Sequence, residues 1–153
     1  LAPGSEEYLN SEKYEIRYWD LEAPHSLAPL IARVNRIRRE NPALQRDWNL
    51  RFHPVDNPEL IAYTKTTDDL SNVILTVVNL DPYHTQSGWV TLPLEDLNVD
   101  PLHPYQVHDL LSDSRYLWHG STNYVELNPQ ILPAHIFRLR RRVRTEHDFE
   151  YYL

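Results

Sequence analysis

A short run near the start of the chain combines a cation, a phenol and carboxylates. Ser11, Glu12, Lys13, Tyr14 and Glu15 follow one another directly. Charged side chains form directed hydrogen bonds with sugar hydroxyls, and an aromatic face covers the C–H surface of a sugar ring. The run therefore fits a contact with a sugar, although a solvated polar loop has the same composition.

Other side chains that could take part in catalysis or bind a metal do not show the spacing that such sites need. A glycosidase uses two carboxylates at a set separation, but most acids after residue 47 occupy turn positions, where Asp is favoured for backbone reasons. The eight histidines show no His-x-His or His-x₃-His spacing, which favours structural histidines over metal ligands. Three glycines and no Gly-x-Ser-x-Gly motif exclude a phosphate-binding loop and a nucleophile elbow. We expect no metal and no cofactor.

The composition is that of one acidic globular domain. Of 153 residues, 41% are hydrophobic, which supports a packed core. The net charge of −7 disfavours nucleic acid as a partner. No run reaches the roughly 18 apolar residues of a membrane helix, and the absence of cysteine fits a reducing cytoplasm. Because the chain does not begin with Met, we expect it to be part of a longer protein.

The clearest helix pattern lies at residues 26–41, where Ser26 is a suitable N-cap and Pro42 ends the run. Its apolar residues share one face at helical spacing: Leu27, Leu30, Ile31, Val34 and Ile37. We expect Leu27, Ile31 and Val34 to be partly buried against another part of the protein. Arg38 falls within the apolar arc, so we expect it to form a salt bridge in a partly buried interface. A snorkelling arginine at the end of the stripe is the alternative.

From residue 50 onward the pattern changes to short strands separated by turn residues. The predicted strands are Leu50–His53, Leu60–Lys65, Val73–Leu80, Gly88–Leu92, Tyr105–Leu110, Arg115–Trp118, Tyr124–Leu127 and His135–Val143. Val73–Leu80 is apolar on both faces, as is typical of a central strand. The arginines of the last strand favour a basic outer face on an edge strand over a nucleic-acid site. Strands this short and numerous predict a mainly β fold, an antiparallel β-sandwich.

Several strings resemble proteins of the α-amylase superfamily (glycoside hydrolase family 13). Glu6–Glu15 and Leu30–Leu44 are similar to the end of its catalytic barrel, and the Ser-Glu-Lys-Tyr-Glu loop is the more particular of the two. Later strings resemble the C-terminal β domain: Asn79–Pro82, Gly88–Val90, Val107–Leu111, Asn123–Leu127 and Pro133–Phe137. Within the superfamily the chain resembles the bacterial maltosyltransferases that use α-maltose 1-phosphate.

The resemblance implies a division of the chain. Residues 1–46 would be the end of a (β/α)₈ barrel, consisting of the loop after strand 8 and helix 8. Residues 47–153 would be a C-terminal Greek-key β-sandwich of the amylase domain C type. Such a chain contains the last loop on the catalytic face of a barrel, where these enzymes carry their chemistry.

The resemblance also implies a function. The family transfers maltosyl groups, with retention, from α-maltose 1-phosphate to the non-reducing end of an α-1,4-glucan. Its catalytic aspartate and glutamate lie on earlier barrel strands, so no catalytic residue is expected in this chain. Lys13 and Tyr14 are carried over as contacts to the donor sugar. The resemblance would place Asp more often at position 10, where this sequence has Asn. This difference does not affect the assignment of Lys13 and Tyr14.

The implied partners are the remainder of the barrel, α-maltose 1-phosphate and the glucan, in a homodimeric cytoplasmic enzyme with no nucleic acid or membrane partner. Two alternatives stay open. One is the same portion of another hydrolase or isomerase of the superfamily. The loop with Lys13 and Tyr14 is the feature that distinguishes the maltosyltransferases from these enzymes. The other is a free-standing carbohydrate-binding sandwich, which predicts a planar row of aromatics on one strand face. Trp89 and Trp118 are too isolated in sequence to indicate such a row.

Overall fold

The computed structural model describes Ile16, Tyr18 and residues 20–144 and 150–152, with backbone only for 142–144 and 150–152. The chain divides into two compact units, residues 1–32 and 33–153. The predicted boundary between residues 46 and 47 concerns a longer protein and stays a prediction.

The helix α1 spans Ala28–Glu40. Ser26, predicted as the N-cap, lies one residue before the position whose carbonyl accepts the first helical bond, that of Leu27 from the N–H of Ile31. Its Oγ still accepts a hydrogen bond from the backbone N–H of Ala28 at 3.2 Å. After the helix, Pro42–Gln45 forms a 3₁₀ turn. Ile37 is the buried residue of α1, so the second half of the helix provides its packing contact with the sandwich.

The remaining apolar face of α1 is open. Leu27, Ile31 and Val34 are 65%, 54% and 39% exposed. Arg38 is exposed as well, and within the described part of the chain it takes part in no ion pair. The predicted salt bridge of Arg38 is therefore wrong for these residues, and the snorkelling alternative replaces it. The physical reason is that, among the described residues, no acid lies within ion-pair distance of this exposed guanidinium.

The described part of the second unit contains ten strands. They are β1 Leu50–His53, β2 Leu60–Thr66, β3 Val73–Asn79, β4 Gln86–Thr91, β5 Tyr105–Asp109, β6 Arg115–Trp118, β7 Thr122–Leu127, β8 Ala134–Arg140, β9 Arg142–Arg144 and β10 Glu150–Tyr152. All strands pair antiparallel. Six form one sheet in the order β1-β2-β3-β8-β5-β6, while β4 pairs with β7 and β9 with β10. The predicted antiparallel sandwich is confirmed.

Two predictions about individual strands have different outcomes. The central strand is confirmed, because β3 lies third of six and all but one of its residues are buried. The prediction that the last strand lies at the edge of a sheet is wrong. β8 lies between β3 and β5, with Phe137 and Leu139 in the core, and the strand ends before Arg141. Arg141 leaves the strand and donates from its guanidinium to the carbonyl of Leu70 at 2.8 Å.

The main core lies between the six-stranded sheet and the β4–β7 sheet. It includes Leu75, Val77 and Phe137 from the first sheet and Val90 and Val125 from the second. Because side chains alternate along a strand, each sheet turns one face inward and one face outward. The outward faces of the two sheets therefore lie on opposite sides of the sandwich.

A second, smaller group of buried apolar residues lies outside the main core. Ile37, Ala43 and Ile74 are 5%, 0% and 0% exposed and do not belong to the main cluster. Ile74 follows the opposite alternation to Leu75 on β3, so it points to the outward face of the six-stranded sheet. The 3₁₀ turn contacts β2 and β3. The end of α1 and this turn therefore cover part of that outward face.

Among the described residues, no helix is both long enough and apolar enough to cross a membrane.

Candidate functional site

The two residues expected to contact sugar lie outside the described residues. Lys13 and Tyr14 both lie within residues 1–15, and the described residues begin at Ile16. The described structure instead begins with the segment that follows this loop. The candidate site within the described residues is the set of contacts that hold the end of α1 and its 3₁₀ turn on the sandwich.

The end of α1 is fixed by two buried asparagines. Asn41 donates from its side-chain amide to the carbonyl of Ile37 at 2.8 Å. Asn72, just before β3, donates from its amide to Oδ1 of Asn41 at 3.0 Å and accepts from the backbone N–H of Ala43 at 3.1 Å. Asn41 and Asn72 are 4% and 5% exposed. A buried amide has a defined number of partners, so these bonds set the position of the helix end against β3.

A third contact between α1 and the sandwich is made by Arg33, which precedes Asn41 by about two helical turns. The Nε of Arg33 donates to the carbonyl of Leu110 at 2.9 Å. Leu110 follows β5 directly, and its own N–H donates to the carbonyl of Ile136 on β8 at 2.8 Å. The helix is thus tied to β3 at its C-terminal end and to the β5–β8 region at Arg33.

The residue that organises the β5–β8 region is Asp109, which is fully buried. Its Oδ2 accepts from the Oγ of Ser112 at 2.7 Å and from the Nδ1 of His135 at 2.9 Å. Its Oδ1 accepts from the backbone N–H groups of Leu111 at 3.1 Å and Ile136 at 3.2 Å. All four donors therefore converge on one carboxylate.

These donors decide the charge state of Asp109. Burial by itself raises the pKa of this carboxyl, but the hydrogen bonds from His135 and Ser112, the charge of His135 and the N–H of Leu111 together hold the pKa below its ordinary value. Asp109 is therefore an ionised, fully bonded carboxylate. The arrangement differs from a hydrolytic triad, in which histidine bridges the acid and the serine, because here the carboxylate bridges Ser112 and His135.

Three further His–Asp pairs lie at turns and at the end of β5. His84 contacts Asp81 at 2.8 Å, His103 contacts Asp100 at 2.6 Å, and His108 contacts Asp113 at 2.6 Å. In the part of the chain that the structure describes, no three histidine or carboxylate side chains converge in a geometry that could hold a metal ion. Each of these three histidines is hydrogen-bonded to an aspartate.

Trp89 and Trp118 lie in different environments. Trp118 is 7% exposed and packs edge-on against Phe137 in the core. Trp89 is half exposed on β4 and lies directly opposite Tyr124 on β7, with ring centroids 5.7 Å apart. Reasoning from sequence missed this pair because Trp89 and Tyr124 are far apart in the chain. The alternation of polar and apolar residues in β7 was the available sign that Tyr124 faces outward.

Comparison with known proteins adds a family and a fold. The family model described as "GLGE, C-terminal" matches residues 52–139. In the solved structure of a noncanonic maltogenic α-amylase, AmyB, from Thermotoga neapolitana, 25% of the chain superposes on 73% of this one, with a TM-score of 0.56 and 13% sequence identity. At this low identity the likeness shows the fold alone.

Three curated relatives carry the name α-1,4-glucan:maltose-1-phosphate maltosyltransferase. The protein of Methylacidiphilum infernorum is 48% identical over 91% of this chain, that of Salinibacter ruber 49% over 88%, and that of Myxococcus xanthus 43% over 98%. The chain spans about a fifth of the length of these relatives (21%, 20% and 22%). Since the family model covers more than half of the sequence, the chain belongs to the GLGE C-terminal family.

Proposed function

We propose that the chain is the C-terminal portion of a retaining glycosyltransferase that transfers maltosyl from α-maltose 1-phosphate to the non-reducing end of an α-1,4-glucan. The observation that carries this proposal is the identity of 43–49% to proteins named for that reaction, over 88–98% of the chain. The chain accounts for about a fifth of each relative. The activity therefore belongs to the whole protein, here called the parent enzyme.

This portion is itself non-catalytic in the proposal. The resemblance assigns the nucleophilic aspartate and the acid/base glutamate to earlier barrel strands, outside this chain. Among the described residues, the most buried carboxylate is Asp109, and its lone pairs are occupied by four donors. A carboxylate bound in this way stabilises structure and is not free to attack a sugar or to exchange a proton with one.

The proposed role of the sandwich is to hold the last barrel helix and, through it, the loop that precedes it. The buried bonds among Ile37, Asn41, Asn72 and Ala43 support this role, since they fix the C-terminal end of α1. The open apolar residues of the same helix, which include Leu30 and Val34 at 39% exposure each, fit a second surface supplied by the rest of the barrel.

Lys13 and Tyr14 are proposed as contacts to the donor maltosyl group. An ammonium and a phenol can satisfy sugar hydroxyls that water would otherwise satisfy, at about 0.5–1.5 kcal/mol net for each bond, and more where a charge takes part. The remaining partners proposed are the rest of the barrel, the glucan acceptor and a second copy of the parent enzyme. The absence of cysteine fits the proposed cytoplasmic location.

The experiment uses the parent enzyme with Lys13→Ala and, separately, Tyr14→Phe. We expect kcat/KM for α-maltose 1-phosphate to fall about tenfold to hundredfold for Lys13→Ala, since 1.4 kcal/mol is a factor of ten. Matched controls are Lys65→Ala, on β2, and Tyr83→Phe, an exposed tyrosine. Both should retain wild-type kinetics.

Two results would contradict the proposal at different levels. Wild-type kcat/KM in both loop variants, with the fold intact, would remove the sugar contact and leave the loop as structure. Hydrolysis of α-glucans without release of phosphate from α-maltose 1-phosphate would instead identify the parent enzyme as another member of the superfamily. The isolated 153-residue chain should release no phosphate above background.

A further inference from the structure

The outward face of the β4–β7 sheet carries an aromatic pair between two polar pairs. Three cross-strand pairs form this surface, called here the β4–β7 face: Ser87 with Glu126, Trp89 with Tyr124, and Thr91 with Thr122. The planes of the two aromatic rings are inclined at 65° to each other. The surface is therefore an angled aromatic platform with polar groups at both ends.

The aromatic pair is open to solvent, although the strands that carry it are part of the core. Trp89 and Tyr124 are 51% and 48% exposed, whereas their neighbours Val90 and Val125 are 0% and 4% exposed. The inward residues hold the sheet in place, and the outward rings have no covering element in the described structure. Large exposed aromatic surfaces commonly mark binding sites.

The platform is fixed along the outer backbone edge of β4. Oδ1 of Asp56 accepts from the backbone N–H of Trp89 at 2.7 Å, and the carbonyl of Pro54 accepts from the N–H of Thr91 at 3.0 Å. Asn57 donates from its side-chain amide to the carbonyl of Ser87 at 2.8 Å. The outer backbone edge of β4 is thus pinned by residues 54–57. A surface fixed before binding loses little entropy when a ligand arrives.

The polar ends of the platform indicate the chemistry of the ligand. The hydroxyl of Tyr124 donates to Oε2 of Glu126 at 3.0 Å, and the hydroxyls of Thr91 and Thr122 lie 3.2 Å apart. Hydroxyls and a carboxylate can exchange hydrogen bonds with a polyhydroxylated ligand. The carboxylate and the net charge of −7 oppose a polyanion. These groups fit a neutral sugar chain, and the inclination of the rings fits a curved chain better than a flat one.

The β4–β7 face lies on the opposite side of the sandwich from the end of α1. The end of α1 and its 3₁₀ turn cover part of the outward face of the six-stranded sheet, as the burial of Ile37, Ala43 and Ile74 indicates. Since the two sheets share one core, their outward faces lie on opposite sides. The end of α1 and its 3₁₀ turn therefore do not cover Trp89 or Tyr124.

We propose that the β4–β7 face binds a segment of an α-1,4-glucan chain and so forms a second contact for the polymer, separate from the donor contact assigned to Lys13 and Tyr14. This inference rests on the proposed function, in which the parent enzyme extends that polymer. A second contact raises the effective concentration of a long chain near the active site. This increase in effective concentration applies to long glucans only, because a short acceptor cannot contact the β4–β7 face and the active site at the same time.

The first experiment measures binding without catalysis. The parent enzyme, without donor, is run by affinity electrophoresis in gels that contain soluble amylose. We expect Trp89→Ala and Tyr124→Ala each to raise the dissociation constant for amylose about tenfold, which is about 1.4 kcal/mol, and Trp89→Phe to restore most of the binding. The matched control is Trp48→Ala, which removes a tryptophan that is 77% exposed and lies two residues before β1. It should bind as the wild type does.

The second experiment separates this inference from the proposed function. In maltosyl transfer, Trp89→Ala should raise KM for amylose several-fold and leave KM for α-maltose 1-phosphate and for a short malto-oligosaccharide unchanged. Amylose retention that is the same in Trp89→Ala, Tyr124→Ala and the wild type would overturn the inference even if transfer proceeds. A change of oligomeric state in these variants by size-exclusion chromatography would also overturn it, because the face would then bind a second copy. Failure of transfer in the wild type would contradict the proposed function, while the retention assay would still test the face.

Discussion

Asn72 and Asn41 are bonded to each other through their side chains, Nδ2 of Asn72 to Oδ1 of Asn41 at 3.0 Å, although 31 positions separate them in the sequence. Both amides are buried and each has a further backbone partner, the N–H of Ala43 for Asn72 and the carbonyl of Ile37 for Asn41. This pair is the polar connection between the end of α1 and the central strand β3. In the proposed parent enzyme it joins the last barrel helix to the sandwich.

The first prediction follows from this pair. In Asn72→Ala the N–H of Ala43 and Oδ1 of Asn41 lose their partner inside the protein, and an unsatisfied buried group costs about 1–3 kcal/mol. We expect the free energy of unfolding to fall by about that amount in urea titrations of the chain. The control is Asn35→Ala, on the exposed side of α1, which should stay within about 0.5 kcal/mol of the wild type. Equal losses in both variants would contradict the role given to Asn72.

The second prediction concerns Asp109. Removal of its carboxylate in Asp109→Ala leaves Ser112, His135 and two backbone N–H groups without their acceptor. Breaking a buried charged pair by removing one partner costs about 3–5 kcal/mol, so we expect a loss of that size in urea unfolding. Asp96→Ala is the matched control, since its ion pair with Arg51 is exposed on both sides and is worth about 1 kcal/mol or less. A loss in Asp109→Ala no larger than in the control would contradict the buried network.

The third prediction is the acid dependence of stability. The folded-state pKa of Asp109 lies below its unfolded value of about 3.9, so the unfolded chain binds more protons as the pH falls. The stabilisation is therefore complete above about pH 5 and is lost progressively as the pH falls towards the folded pKa. Hydrogen bonds from Ser71 lower the pKa of Asp69 to about 2, which acts in the same direction. Urea unfolding between pH 6 and pH 2.5 should show this decline.

The variant Asp109→Asn tests whether this carboxyl contributes to the decline. It cannot titrate, so its free energy of unfolding should fall less steeply below pH 5 than that of the wild type. Asp96→Asn, which changes an exposed carboxylate, should keep the wild-type slope. Parallel curves for Asp109→Asn and the wild type would show that other groups account for the acid dependence.

Much of the fold could be predicted from the sequence because its signals are local. Turn residues and alternation placed β1 and β6 at their observed bounds, and the unbroken apolar run placed β3 at the centre of its sheet. The error at β8 has a physical reason. Arginines on an outward face are compatible with an internal strand when only the inward face, with Phe137 and Leu139, is packed in the core.

The parts that could not be predicted depend on distant residues or on surfaces outside the chain. The pairing of Trp89 with Tyr124 requires the register of β4 against β7, which no local pattern specifies. The open face of α1 misled the prediction for Arg38, because the apolar stripe indicates burial without naming the surface that buries it. Lys13 and Tyr14 were selected through a resemblance and lie outside the described residues.

The last prediction concerns Gly88, which lies beside Trp89 on β4. A Cβ at this position would lie 2.8 Å from Oδ1 of Asp56 and 3.2 Å from Cβ of Asn57 and Cγ1 of Val55. The same Asp56 oxygen accepts the hydrogen bond from the N–H of Trp89. In Gly88→Ala the segment that pins β4 must move away, and overpacking of this kind costs about 1–3 kcal/mol. We expect a lower melting temperature and weaker retention of the parent enzyme by amylose. Ser87→Ala, one residue earlier on the same strand, should keep its melting temperature. A Gly88→Ala variant as stable as the wild type would show that residues 54–57 do not hold Trp89 in place.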